Sequence, residues 1–146
     1  MAGEFMSIEY SWVSIELTYE GFPLFLRRSV NLDTDSLQAL FSNLAVLTHK
    51  FSKREPNGLP EADYNDSLFD FDREIVGAMN SDGKGVPVLI ETFGGKRNYY
   101  FYVAADANVE ELFLAISRRH PNKKLTWSVR PDATWSFIKK YTKEFF

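Results

Sequence analysis

Polar and apolar residues alternate near the start of the chain, between residues 10 and 31. The run Y-S-W-V-S-I-E-L-T-Y is rich in β-branched and aromatic residues, E-G-F-P interrupts it, and L-F-L-R-R-S-V-N follows. This pattern predicts a β-hairpin. Successive side chains of a strand point to opposite faces. We expect Trp12 on one face and, on the other, the set that faces the core: Val13, Ile15, Leu17 and Tyr19.

Further along, the pattern predicts a series of helices and strands. A short helix over 32–41, with Asp33 or Thr34 as its N-cap, precedes a strand at 44–51. The turn residues of R-E-P-N-G-L-P-E lead into a helix over 60–79. Its buried stripe is predicted to be Tyr64, Leu68, Phe71, Ile75 and Met79. A second hairpin over 86–93 and 97–105, a helix capped by Asn108, a strand at 124–130 and a helical or irregular tail over 133–145 complete the series.

The order of these elements predicts the fold class. From residue 44 onward it is strand, helix, strand, strand, helix, strand, which is the split β-α-β arrangement of ferredoxin-like folds. We therefore expect an α+β protein with an antiparallel sheet, an added N-terminal β-hairpin and a C-terminal helical tail. Helices should cover one face of the sheet. The other face would be solvated, covered by the N-terminal part and the tail, or used for binding.

The length and composition predict a single domain over residues 6–146. A chain of 146 residues with 45% hydrophobic side chains can bury one substantial core. The first five residues, M-A-G-E-F, are typical of a cloning vector remnant and are excluded from the fold. No apolar run approaches the roughly 18 residues that cross a bilayer. We expect a cytoplasmic protein without a membrane partner.

The residue types present exclude several kinds of chemistry. The chain has no cysteine, which rules out disulfides, thiolate nucleophiles and cysteine-ligated zinc. Its two histidines, His49 and His120, have no neighbour at a spacing typical of metal ligands. Asp66 and Asp70 lie one helical turn apart, but general acid and base catalysis would require a desolvated cleft. We expect no catalytic residue, no metal and no cofactor.

Charge is concentrated in one segment. The net charge of −3 argues against a general nucleic-acid binder. Six acidic residues and one basic residue lie between Glu61 and Glu74. On the predicted helix, Asp63, Asp66, Asp70 and Glu74 form a row beside the buried stripe. Phe69 and Val76 project away from that stripe, next to Arg73.

These features favour a non-enzymatic protein that binds a basic protein partner. A row of carboxylates with exposed apolar neighbours can steer and hold a basic surface. The expected site consists of Asp63, Asp66, Phe69, Asp70, Arg73 and Glu74, in a regulator, inhibitor or immunity-type protein. The same charges also suit an ordinary solvated helix face. Pairing with the basic C-terminal part of the chain would give a homo-oligomer.

An RNA-binding module is the alternative hypothesis, and an enzyme of unknown reaction is the third. Arg97, Tyr99 and Phe101 alternate on one face of a predicted central strand, where RNA-recognition domains place the residues that stack on bases. However, Asn98 and Tyr100 stand where that signature requires small residues. Exposure of the three side chains would separate the hypotheses, because stacking requires uncovered rings.

Motifs spread over nearly the whole chain resemble one bacterial family. They are Trp12, Gly21-Phe22-Pro23, Gly58-Leu59-Pro60, Gly95-Lys96-Arg97 with the aromatic strand after it, and Asp132 with Trp135-Ser136-Phe137. Their order and spacing resemble the domain-of-unknown-function family six-nine-five. That family is similar in fold to the ferredoxin-like regulators of ribonuclease E activity (B type). The resemblance implies a protein-binding regulator without a catalytic site.

Overall fold

The structure, a computed structural model, describes residues 11–30, 32–80 and 83–146. The predicted vector remnant lies outside the described residues. The strands are β1 Ser11–Tyr19, β2 Phe22–Val30, β3 Asn43–Lys50, β4 Gly85–Phe93, β5 Lys96–Val103 and β6 Lys124–Pro131. The helices are α1 Thr34–Leu40, α2 Ala62–Asn80, α3 Val109–Arg119 and α4 Ser136–Phe145.

The six strands form one antiparallel sheet in the order β1-β2-β4-β5-β3-β6. Strands β3 to β6 with α2 and α3 have the connections and the strand order of the split β-α-β motif. The β1–β2 hairpin extends this sheet because β2 pairs with β4. The predicted α+β fold with an added N-terminal hairpin is confirmed.

Helices cover both faces of the sheet. On β3 and β5, side chains such as Leu47 and Phe101 point toward α2 and α3 and pack with Phe71, Phe113 and Ile116. We call this side the α2/α3 face. The alternate side chains of the same strands, among them Leu44 and Tyr102, pack against α1 and α4. We call this side the α1/α4 face. The C-terminal tail, predicted to be helical or irregular, is the helix α4 that covers this face.

Strand β1 departs from the predicted burial pattern. Ile15 and Leu17 pack against the core of the α1/α4 face, whereas Val13 is 40% exposed and Tyr19 is 41% exposed. On the other side, Trp12 packs against the core of the α2/α3 face. The expectation that all four odd-numbered residues face the core is therefore wrong for Val13, whereas the partly exposed Tyr19 ring contacts aromatic rings that pack on the α1/α4 face. An edge strand is paired on one side only, and the covering layers do not reach its whole length.

Local signals set the ends of several elements as predicted. The Asp33 side chain accepts a hydrogen bond from the Ser36 amide and caps α1. Asn108 accepts one from the Glu111 amide at the start of α3, while its own amide group donates to the Glu111 carboxylate at 2.9 Å. This reciprocal pairing is a capping box. None of the helices among the described residues is both long and apolar enough to cross a membrane.

Trp135 attaches α4 to the sheet. Its ring is 1% exposed and stacks on Tyr102, with the ring centroids 4.2 Å apart, and its Nε1 donates to the carbonyl of Phe41 at 2.8 Å. Its backbone is left-handed, with φ of 56°. Asp132 supplies the cap, because its carboxylate accepts hydrogen bonds from the amides of Ser136 and Phe137 and from the Tyr102 hydroxyl. One aromatic side chain thus joins α4, β5 and the end of α1.

Replacing Trp135 should therefore destabilise the whole fold. We expect Trp135→Ala to lower the free energy of unfolding by roughly 3 to 5 kcal/mol, as for other buried large-to-small aromatic changes. Thr134→Ala, at the exposed neighbouring position, should change it by less than about 0.5 kcal/mol. Urea unfolding followed by far-ultraviolet circular dichroism measures both. A loss below about 1 kcal/mol for Trp135→Ala would contradict this role.

Candidate functional site

The outward side of α2 carries most of the predicted site. Its inward side buries Leu68, Phe71, Ile75 and Met79, as predicted, whereas Tyr64, the fifth member of the predicted stripe, is only half-buried. Asp63, Asp66 and Asp70 are exposed, and among the described residues none of them has an ion pair or a side-chain hydrogen bond. We call these three carboxylates with Phe69 the acidic face of α2.

Glu74 does not extend this row as a free carboxylate. It accepts hydrogen bonds from Arg119 Nη2 at 2.9 Å and pairs with His120 Nε2 at 2.8 Å. Partial burial works against ionisation, but these hydrogen bonds prevail and hold the pKa of Glu74 below its ordinary value. Glu74 therefore links α2 to the end of α3, and the continuous row predicted from the sequence is one residue shorter.

Phe69 is the main apolar group on the acidic face of α2. Its side chain is 64% exposed, and the guanidinium of Arg73 lies 5.8 Å from the centre of its ring. Val76, predicted to be exposed with it, is instead half-buried and packs against the core of the α2/α3 face. That prediction is wrong, because the part of the α2 surface that packs against the sheet is wider than the predicted buried stripe and includes Val76.

Asp72 belongs to the same acidic segment but is used inside the protein. Its carboxylate forms an ion pair with Arg97 Nη1 at 2.7 Å and accepts a hydrogen bond from the Tyr99 hydroxyl. Arg97 also donates to Thr92 Oγ1 at 2.9 Å and to Asn65 Oδ1 at 3.2 Å. Burial, and then the adjacent Asp72 charge, raise the pKa of Tyr99 well above its ordinary value. This network attaches α2 to β4 and β5.

The residues proposed for RNA binding lie beneath α2 and α3. Arg97 is 9% exposed, Tyr99 is fully buried and Phe101 is 1% exposed. Because base stacking requires accessible ring faces, these three side chains do not form the open surface that the RNA hypothesis needs. The expectation of an open face at these positions is wrong. Their alternation reflects a strand that is buried on both sides.

A groove runs along one side of the acidic face of α2. It lies between α2 and strands β2 and β4, has a volume of about 770 Å³, and includes Phe25, Asp66, Phe69 and Ile90 among its lining residues. The Asp72–Arg97 pair and the exposed Arg27 also line it. The sequence did not indicate Phe25 as a site residue, because its approach to α2 depends on the pairing of β2 with β4.

The loop before α2 forms the end of this groove. Gly58 accepts a hydrogen bond through its carbonyl from the Gly95 amide at 2.9 Å. A Cβ atom at position 58 would lie 3.1 Å from backbone atoms of Gly94, and the φ of Gly58 is +90°. A larger residue would therefore strain both segments. This contact fixes the loop containing Leu59 and Pro60, which line the groove.

His49 lies in an aromatic cluster beneath the start of α2. It is fully buried; its Nε2 is 2.9 Å from the Tyr64 hydroxyl, and its Nδ1 has no hydrogen-bond partner among the described residues. Its ring contacts Phe51 and Phe71. Burial, followed by the positive charge of Lys123, lowers the pKa of His49 to about 4. At neutral pH it is thus an uncharged core residue.

The described residues do not include a cluster of three or more histidine, aspartate or glutamate side chains that could hold a metal ion.

The fold and the site together define an antiparallel α+β protein with an acidic helix face beside a groove. The chain belongs to the Family of unknown function (DUF695), whose model matches residues 11–141. No curated protein and no solved structure gives a significant match. The expected likeness to the regulators of ribonuclease E activity stays a prediction.

The Asp72–Arg97 pair should be important for stability. Asp72→Ala leaves the Arg97 charge poorly compensated, and we expect a loss of about 3 to 5 kcal/mol in the free energy of unfolding. The matched variant Asp70→Ala removes an exposed carboxylate from the same helix and should cost less than about 0.5 kcal/mol. Adding Arg97→Met to Asp72→Ala should recover part of the loss. Equal urea midpoints for the two single variants would contradict a stabilising role of the ion pair.

His49 should make stability depend on pH. Its pKa in the folded protein is about 4, below the ordinary value of 6.5, so the unfolded chain takes up its proton first. The free energy of unfolding should therefore decrease as the pH falls from about 6.5 to about 4. His49→Leu should remove that part of the dependence. Urea titrations at several pH values test this, and parallel pH curves for the two proteins would show that His49 does not contribute.

Proposed function

We propose that this protein is a non-enzymatic regulator or inhibitor, of the kind that immunity proteins represent, and that it binds a basic protein partner through the acidic face of α2. The observation that carries the proposal is the exposure of Phe69 between carboxylates that have no partner among the described residues. Aromatic anchors surrounded by polar groups dominate binding energy at protein interfaces.

Charge supports a basic partner. Asp63, Asp66 and Asp70 are exposed within two turns of one helix, and Arg73 is the only base among residues 61–74. Like charges at this spacing repel each other slightly. A partner that supplies lysine or arginine would relieve this repulsion and would be attracted over a distance of about 8 to 10 Å at physiological salt.

The groove supports side-chain insertion from that partner. Phe25 and Phe69 provide apolar surface, and Asp66 lines the same groove. Two arginines also line it, but one is paired with Asp72 and the other lies over the ring of Trp12. A long basic side chain can place its aliphatic stem on apolar rings while its charged end approaches a carboxylate. The acidic face of α2 with its groove therefore suits a lysine or arginine side chain better than a flat apolar contact.

Charge reversal on α2 tests the proposal. The wild-type chain should retain a basic protein from nuclease-treated lysate of its native source, and the variant Asp66→Lys/Asp70→Lys should not retain it. We expect the affinity of the variant for this partner to be reduced at least about 100-fold, because close charge pairs at interfaces contribute several kcal/mol. Both positions are exposed, so the folded state should persist, as circular dichroism would verify. Affinity is then measured by calorimetry with the purified partner.

The matched control is Asp35→Lys/Glu144→Lys, on α1 and α4. It makes the same change in net charge at two exposed residues away from α2. We expect it to bind the partner within about twofold of the wild type. Retention of the partner by the α2 variant, or equal loss in the control, would count against a docking role for α2. Recovery of nucleic acid that depends on omitting the nuclease would instead indicate nucleic-acid binding at a surface other than the buried Arg97, Tyr99 and Phe101.

A further inference from the structure

A second cavity lies on the opposite side of the molecule, on the α1/α4 face. It is bounded by the end of β2, the start of α1 and one side of α4, and its volume is about 630 Å³. Val88, Trp135 and Ile138 give it an apolar lining. This volume falls within the range of small-molecule sites, roughly 300 to 1,000 Å³.

The charged groups of this cavity all have the same sign. Arg28, Lys139 and Lys143 line it, and its lining includes no acidic side chain. None of the three forms an ion pair with a described residue. Three neighbouring positive charges without internal compensation favour the binding of an anion.

Arg28 is the least exposed of the three cations. Its Nε is buried and has no hydrogen-bond partner in the described part of the chain. Its guanidinium lies 4.6 Å from the centre of the Phe146 ring. This contact positions the guanidinium but accepts no hydrogen bond from it. The covered Nε does not face the cavity, so the terminal nitrogens, which have no hydrogen bond with the described residues, are the donors left for a ligand. A guanidinium suits the oxygen atoms of a carboxylate or phosphate.

We propose that this cavity binds a small amphipathic anion, with a carboxylate or phosphate group held by Arg28, Lys139 and Lys143 and an apolar part placed against Val88, Trp135 and Ile138. Thr34 adds a hydroxyl at the rim that has no hydrogen bond with the described residues. The charged and apolar parts of the lining match the two parts of such a ligand. The site is distinct from the acidic face of α2, which lies on the other side of the sheet.

Octyl phosphate is a suitable probe, because it combines the two chemical features. We expect saturable binding by calorimetry, weaker binding of inorganic phosphate and of octanol, and an affinity that decreases with salt. In a nitrogen–proton correlation spectrum, the indole signal of Trp135 should shift, while those of Trp12 and Trp127 should not. The substitutions Trp12→Phe and Trp127→Phe assign the three signals.

Two double variants locate the site. Lys139→Glu/Lys143→Glu reverses the charge on the cavity side of α4 and should weaken octyl phosphate binding at least about tenfold. Lys124→Glu/Lys140→Glu makes the same change in net charge outside the cavity, with Lys140 on the same helix, and should stay within about twofold of the wild type. Circular dichroism and urea unfolding verify that both variants fold.

Several outcomes would overturn the proposal. They are an absence of saturable binding, equal weakening by the two double variants, octanol binding as tightly as octyl phosphate, and a shift of the Trp12 or Trp127 signal instead of that of Trp135. Vesicles of phosphatidylglycerol and phosphatidylcholine provide a further comparison. Binding to these vesicles without binding to octyl phosphate would indicate surface adhesion rather than a cavity site, and would also refute it.

Discussion

The burial of β3 and β5 on both faces is the constraint on which the rest of the structure depends. Odd-numbered side chains of these strands enter one core and even-numbered side chains enter the other, so the chain must supply a covering layer on each side. The second layer includes α4, held by the stacking of Trp135 on Tyr102 and by the Asp132 carboxylate. The left-handed backbone of Trp135 costs about 1 to 3 kcal/mol, which the buried ring and its hydrogen bond to Phe41 offset.

The sequence could predict the features that depend on neighbouring residues. Asn108 with Glu111, Asp33, and the stripe that contains Phe71 are set by contacts within one or two helical turns, and all were predicted. The features that depend on distant pairing were missed. The exposure of Val13 follows from the edge position of β1, and the approach of Phe25 to α2 follows from the pairing of β2 with β4. Neither the edge position of β1 nor the pairing of β2 with β4 can be predicted from the residues near Val13 or Phe25 in the sequence.

The acidic segment shows why a charge pattern alone does not define a site. Asp72 and Glu74 join α2 to β5 and α3, where each has specific hydrogen-bond donors. Asp63, Asp66 and Asp70 lie on the same helix but are exposed. On the sequence Glu74 looks like these three residues, because helical spacing gives the direction of a carboxylate and not the position of its partner, whereas Asp72 already falls outside their row. The structure therefore divides one run of charges into an internal part and an external part.

The two proposed sites are connected through β5, although they lie on opposite faces of the sheet. Arg97 and Tyr99 attach this strand to α2, while Tyr102 attaches it to the start of α4. A substitution within β5 would therefore disturb both surfaces, and its effect on either binding activity would not identify a site. The groove beside α2 and the cavity beside α4 have no lining residue in common among the described residues, so changes at Asp66 and Lys139 should act independently. We therefore expect one binding activity to be lost without the other only when an exposed residue of α2 or α4 is substituted.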